Sequence, residues 1–201
     1  MIMVACSGGM KSALMIEYAK REKKKVLLAY IRRRIPAERK ELRCVHELAA
    51  HHGLDLIIRE LPARERNVML GPLLYWYLLY IAEMYKCREL WIGVSAEDTG
   101  PEAEEGFFRL MSAMLEKVQP MYDEFGLFRG DRLDIQTPLL QLTHEQVVIL
   151  GEKFGVPWTL TTSCLRGGRF DCGECEGCAR RRTAFFFAEV EDPTLYAKTS
   201  N

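Results

Sequence analysis

The sequence predicts an α/β protein built on a parallel five-stranded sheet with helices on both faces. Two observations carry this. Short apolar runs alternate with helix-length stretches down most of the 201 residues, the rhythm of strands joined by crossover helices. The chemically informative stretches also fall just after the apolar runs, where open parallel sheets bind their ligands.

Taken in order, residues 1–6 (MIMVAC) read as a short buried strand. From Ser12 to Lys24, Ala13, Leu14, Ile16, Tyr18 and Ala19 recur at near-helical spacing, so a helix follows. Residues 25–31 (KVLLAYI) form a second strand. Pro36 opens a charged helix that runs to His52 and stops at Gly53. Residues 54–61 (LDLIIREL) are a third strand. A helix over 68–86 carries Leu, Tyr and Trp on most sides, which predicts deep burial. Residues 89–95 (ELWIGVS) make a fourth strand, 104–125 a helix, and 132–137 (RLDIQT) a fifth strand. Thr143 and Gln146 form a capping box at the start of another helix.

Composition sets the class. Hydrophobic residues at 48% and charged residues at 28% are ordinary globular values. Lys+Arg and Asp+Glu both number 28, so no net charge argues for direct nucleic-acid binding. The opening lacks the basic stretch of a signal peptide, and the apolar run 72–82 is too short to span a bilayer. A cytoplasmic protein without a membrane partner is expected. Seven cysteines then point to metal chemistry rather than disulfides.

Four of them, Cys164, Cys172, Cys175 and Cys178, are spaced C-x7-C-x2-C-x2-C. Four thiolates this close, with Gly173 and Gly177 easing the turns, suit tetrahedral Zn²⁺. Arg166, Arg169 and Arg180 nearby favour the thiolate forms. An iron–sulfur cluster is the rival metal, because C-x2-C-x2-C occurs there too. Cys6, Cys44 and Cys87 read as small core residues.

After the first strand stands Ser-Gly-Gly-Met-Lys-Ser, residues 7–12. Gly8 and Gly9 let backbone N–H groups close on an anion, and the following helix aims its positive end at the same point. Ser7 and Ser12 add hydroxyls. Neither a Walker loop nor a dinucleotide fingerprint is present.

These residues resemble the SGG-x-D-S pyrophosphate loop of N-type ATP pyrophosphatases. Within that superfamily the chain is similar to the 7-cyano-7-deazaguanine synthase (QueC) family from Val4 to Phe185. Arg66-Asn67 match its G-R-N, Ala96-Glu97-Asp98 its acidic segment, and Thr137-Pro138-Leu139 its T-P-L. Most specific is the end: Ser163-Cys164, Cys172-Gly173, Cys175, Cys178, Arg181 and Ala184-Phe185. The resemblance implies an adenine nucleotide alpha hydrolase-like domain over 1–160. Residues 161–201, a zinc-binding segment and tail, would pack on it. It implies ATP, Mg²⁺ and Zn²⁺ as cofactors and a homodimer. The implied reaction adenylates a 7-carboxy-7-deazaguanine carboxylate, and ammonia then gives the amide and the nitrile.

By the same resemblance, Ser7, Gly8, Gly9, Met10, Lys11, Ser12 and Tyr30 bind nucleotide. Arg66, Asn67, Asp98 and Arg181 hold the substrate. Lys11, Glu97 and Asp98 serve catalysis, with Glu97 or Asp98 on Mg²⁺ or the base. The bland alternative is that Glu97 and Asp98 cap the next helix. Arg32-Arg33-Arg34 grip an anion or line a solvated turn, and Trp158 belongs to the core or lines a base pocket. Phe186, Phe187, Leu195 and Tyr196 close the pocket or meet a partner subunit.

The match departs where ligands bind. Lys11 replaces the loop Asp, His144 stands where Lys follows T-P-L, Glu65 replaces the Gly of G-R-N, and Leu165 replaces the Tyr of S-C-Y. Residues 30–35 (YIRRRI) replace D-Y-G-Q. Three readings follow: a drifted synthase, a paralogue that couples the activated base to another amine such as a protein partner's, and a binding module without ATP hydrolysis.

Overall fold

A computed structural model describes residues 1–61, 70–100, 103–124 and 132–197. The chain runs β1 (Ile2–Ala5), α1 (Met10–Arg21), β2 (Val26–Arg32), α2 (Glu38–His52), β3 (Asp55–Glu60), α3 (Leu70–Met84), β4 (Glu89–Trp91), α4 (Glu105–Glu124), β5 (Asp134–Gln136), α5 (His144–Phe154) and α6 (Glu176–Phe187). A 3₁₀ turn, Trp158–Leu160, precedes α6. The five strands pair in parallel in the order β3-β2-β1-β4-β5.

Side chains alternate between two cores, as a pleated sheet requires. Ile2, Val4, Leu28 and Tyr30 pack with α1, α2 and α5 on one face. Met3, Leu27, Ala29, Ile31 and Leu90 pack with α3 and α4 on the other. Gly53 ends α2 in the left-handed conformation, and the Thr143–Gln146 capping box opens α5 as expected.

Two elements differ from the sequence expectation. β4 ends at Trp91 rather than Ser95, because after the Ile92 N–H bonds Gln136 the chain leaves the ladder and Gly93 passes against Lys11 and Met15 of α1. The turn that follows is pinned by the Ser95 N–H, which donates to Asp98 Oδ2 at 2.9 Å. The sequence reading placed no helix after the cysteines, yet α6 begins at them. Cys175 is its N-cap and Cys178 lies in its first turn.

β1 is central, and the chain crosses from β3 on one flank to β4 on the other. The carboxyl end of β1 is therefore the switch point where such sheets open a crevice.

Candidate functional site

The Ser-Gly-Gly turn sits at that switch point. Gly8 has φ +76°, and a Cβ there would stand 2.9 Å from Cys44 Cβ and 3.0 Å from the Glu41 carbonyl, so only glycine fits. Gly9 is the N-cap of α1, and its side chain-free backbone leaves the helix N-terminus open. The Ser7 N–H donates to Ser12 Oγ at 3.0 Å, closing the loop on itself. The Gly8 carbonyl accepts the Thr162 N–H at 2.9 Å, tying the loop to the start of the cysteine segment.

Beside the loop lies a cleft of about 460 Å³. Ser7, Lys11 and Ser12 line one side, Tyr30 and Arg33 another, and Leu74, Tyr75 and Leu78 of α3 give an apolar wall. A smaller cavity of about 240 Å³ adjoins it, bordered by Gly9, Met10, Glu41 and His144. Both share Ser7, Lys11, Asp98, Leu165 and Arg180.

Lys11 and Asp98 dominate the charge here. The Lys11 ammonium bonds both oxygens of the Asp98 carboxylate. Its Nζ lies 3.4 Å from Ser95 Oγ, and His144 Nε2 is 3.5 Å from Asp98 Oδ1. Burial alone would raise the Asp98 carboxyl, but His144, Lys11 and the Ser95 N–H outweigh it and hold it far below the usual carboxylate range. Tyr30 donates to Glu41 Oε2 at 2.7 Å, and burial together with that carboxylate pushes the phenol up. It stays a donor.

Several expectations need correction. Arg181 does not face the cleft. Its guanidinium is fully buried, donating to Thr161 Oγ1 at 2.6 Å, to the Trp158 carbonyl at 3.3 Å and to Asp192 Oδ1 at 2.9 Å. One residue is 100° of helix, so Arg180 turns into the cleft instead. Glu97 lies outside both shared cavities and accepts the His144 N–H at the N-terminus of α5. It caps a helix, though α5 rather than the next one. Neither carboxylate offers an open Mg²⁺ position: Asp98 is fully engaged and Glu97 points away. Trp158 is core, edge-on to Phe185 at 5.4 Å. The triple arginine turn is bound by acids: Arg32 and the Arg33 and Arg34 N–H groups on Glu38, the Arg33 side chain on Glu41, the Arg34 side chain on Glu60. Phe186, Phe187 and Leu195 are exposed. Arg66 and Asn67 lie outside the described residues.

The four cysteines do converge. Their sulfurs all lie within 4.8 Å of one another. Cys172 and Cys178 sulfurs are 3.9 Å apart, Cys175 and Cys178 sulfurs 3.5 Å. Around one ion with metal–sulfur bonds of ~2.3 Å, tetrahedral edges are about 3.8 Å. The set fits a single four-coordinate ion. A four-iron cluster would interpose its cube between the thiolates and spread them further. The N–H groups of Leu165, Cys172 and Cys175 donate to sulfurs of the set at 3.3–3.4 Å, and such backbone donors hold the Cys172 and Cys175 thiols below their ordinary value against burial, which pushes Cys178 up. Gly177 is required here, because a Cβ would fall 1.9 Å from the Ser163 carbonyl oxygen. Tyr196 of the tail packs over the cluster.

A parallel sheet with a Ser-Gly-Gly turn at its switch point and a cysteine module beside it defines a protein of the PP-loop, ATP pyrophosphatase-like class. Solved structures of like fold agree. NMN synthetase from Francisella tularensis superposes with a TM-score of 0.54, at 17% identity over 94% of this chain and 77% of that one. The U34-tRNA thiolase NcsA from Methanococcus maripaludis, whose structure holds a 4Fe-4S cluster, gives 0.54 at 13% identity over 94% and 65%. The family "Queuosine biosynthesis protein QueC" matches residues 61–189, and the chain belongs to it. The 7-cyano-7-deazaguanine synthase of Anaeromyxobacter dehalogenans is 34% identical over 74% of this chain and 60% of its own length. That of Thermoplasma acidophilum is 29% identical over 97% and 91%. The chain thus spans between three-fifths and nine-tenths of these two relatives.

Among the described residues no helix is long and apolar enough to cross a membrane.

Proposed function

We propose that this protein binds ATP at the Ser7–Ser12 loop, adenylates the carboxylate of a 7-carboxy-7-deazaguanine-type base, and passes the acyl group to ammonia. The observation that carries this is the cleft itself. The phosphate-type loop, a lysine, an arginine and an apolar wall with Tyr30 and Tyr75 converge at the sheet's switch point. A flat purine-like base suits the wall, and its acid suits the cationic end. Adenylation needs alignment of carboxylate and α-phosphate, with charge neutralised as pyrophosphate leaves. The loop N–H groups and Lys11 would hold the phosphates, Arg180 would face the carboxylate, and Asp98 would fix the Lys11 ammonium. The four cysteines would hold Zn²⁺, which in a closed site is structural.

The experiment is pyrophosphate release with ATP, 7-carboxy-7-deazaguanine and ammonia, followed by mass analysis of the base. Amide and nitrile support the reading. Release without either, in favour of a heavier conjugate, would move it to another amine. The Lys11–Asp98 ion pair supports a second reading, a binding module without turnover. Nucleotide binding with no pyrophosphate under any condition would establish that one.

A further inference from the structure

In the nucleotide cavity the charges are disposed unlike those of a metal-nucleotide site. Two cationic side chains border it, Lys11 and Arg180, together with two carboxylates, Asp98 and Glu41, and His144. Both carboxylates are already committed. Glu41 takes Arg33 Nη2 on both oxygens at 2.8 Å, and the Tyr30 hydroxyl on one. Asp98 takes Lys11 on both oxygens, the Ser95 N–H and His144. Mg²⁺ needs carboxylate oxygens at about 2.1 Å in an octahedral shell. At Asp98 an ammonium occupies that place, and it is one covalent arm of the phosphate loop.

We propose that this site takes its nucleotide as the metal-free polyphosphate anion, with Lys11 supplying the positive charge that a divalent cation would bring, and Arg180 assisting. The inference rests on the nucleotide part of the reading above. Lys11 is the second residue of α1, so its charge adds to the exposed N–H groups and the dipole at the same helix end. Asp98 holds the ammonium beside the loop before ligand arrives, so little ordering is left to be done on binding. A magnesium ion riding on the phosphates would meet the charges of Lys11 and Arg180, and among the described residues both carboxylates that border the cavity, Asp98 and Glu41, are already ion-paired. That arrangement is repulsive rather than supportive.

The test is calorimetric titration of the intact chain with ATP, once with saturating Mg²⁺ and once in buffer stripped of divalent cations by chelating resin. Resin treatment of the buffer, rather than added chelator, spares the four-cysteine site. Metal-free ATP should bind within about threefold of Mg-ATP, or more tightly. Lys11→Ala should weaken metal-free binding by about tenfold or more, the value of one charge-assisted contact. Lys11→Asp should reverse the preference, binding only with Mg²⁺. Wild-type binding that falls by more than about tenfold without Mg²⁺ would overturn the proposal while leaving the nucleotide reading intact. Absence of binding in both buffers would remove both. The wild-type comparison alone decides the matter if a variant fails to fold.

Discussion

Asp98 is the residue on which most of the cleft's electrostatics depends, and its protonation gives a signed expectation. Its carboxyl is held below the ordinary value. A group with a depressed native pKa contributes stability above its unfolded value of about 3.9, and that stability is lost as pH falls from there toward the native value. Asp98→Asn should therefore cost roughly 2 kcal/mol at pH 7, a partly buried ion pair being worth less than a fully buried one. The difference from wild type should shrink below about pH 4. Denaturant melts at pH 7 and pH 3 measure this; an equal loss at both would mean the carboxylate's charge is not what stabilises. The same variant should stop pyrophosphate release without changing metal content. At this scale the sequence was informative about which residue types matter and silent about pairing. Lys11 was legible as a departure from the loop pattern. That it would seize Asp98, eighty-seven residues away, follows only from where the chain leaves β4.

Among elements, α6 was the one missed, and the reason is physical. Glu176–Phe187 carries three consecutive arginines and three consecutive phenylalanines, so no apolar stripe marks it. It is held by contacts that are not amphipathic: Cys175 at its N-cap, Cys178 in its first turn, Gly177 against Ser163, and buried Arg181. Without a helix there was no phase, and the choice between Arg180 and Arg181 could not be made. Strands β1 and β2 were legible because both faces are covered and their residues are apolar almost throughout, and β3, a half-exposed edge strand, was legible from its Leu-Ile-Ile run between charged residues. Two tests belong to α6. Gly177→Ala should displace the helix from the 163–165 segment, lowering the metal held by the four cysteines below about one ion per chain in elemental analysis. Full metal content in that variant would show the clash to be absorbed elsewhere. Arg181→Met strands Asp192 and should destabilise by about 3 kcal/mol, lowering the melting temperature by roughly 6–12 °C. Wild-type melting would mean the tail carries no weight.

For the whole molecule, the cleft is the crossing point of the topology. Residues 7–12, 30–33, 41, 74–78, 93–100, 144, 162–165 and 177–180 reach it from widely separated parts of the chain. The alternation of strands and helices announced such a meeting place, since loops at strand ends must gather above the sheet. The strand order was not in the pattern, because alternation alone fixes no order. Loss of the metal should loosen the loop as well, because Thr162 donates to Gly8 two residues before Cys164. Protein stripped of any metal held by the four cysteines should bind ATP more weakly, and metal restored after stripping should recover it. Unchanged affinity would uncouple the two sites.

The many-part construction has a consequence for folding and survival. No fragment short of the closed sheet assembles the cleft, so a ligand there recognises only the finished fold and ignores every partly made one. Occupancy then acts as a molecular certificate of completion. At a hundred times its dissociation constant a ligand adds about 2.7 kcal/mol to the native state, or roughly 5–10 °C of melting temperature in a chain this size. Because opening any one of these segments forfeits the ligand, slowed amide exchange should spread to the loops after β1, β2 and β4 alike. Protease nicking of newly made chains should decline with cellular nucleotide, giving the protein a lifetime set by the supply of what it binds.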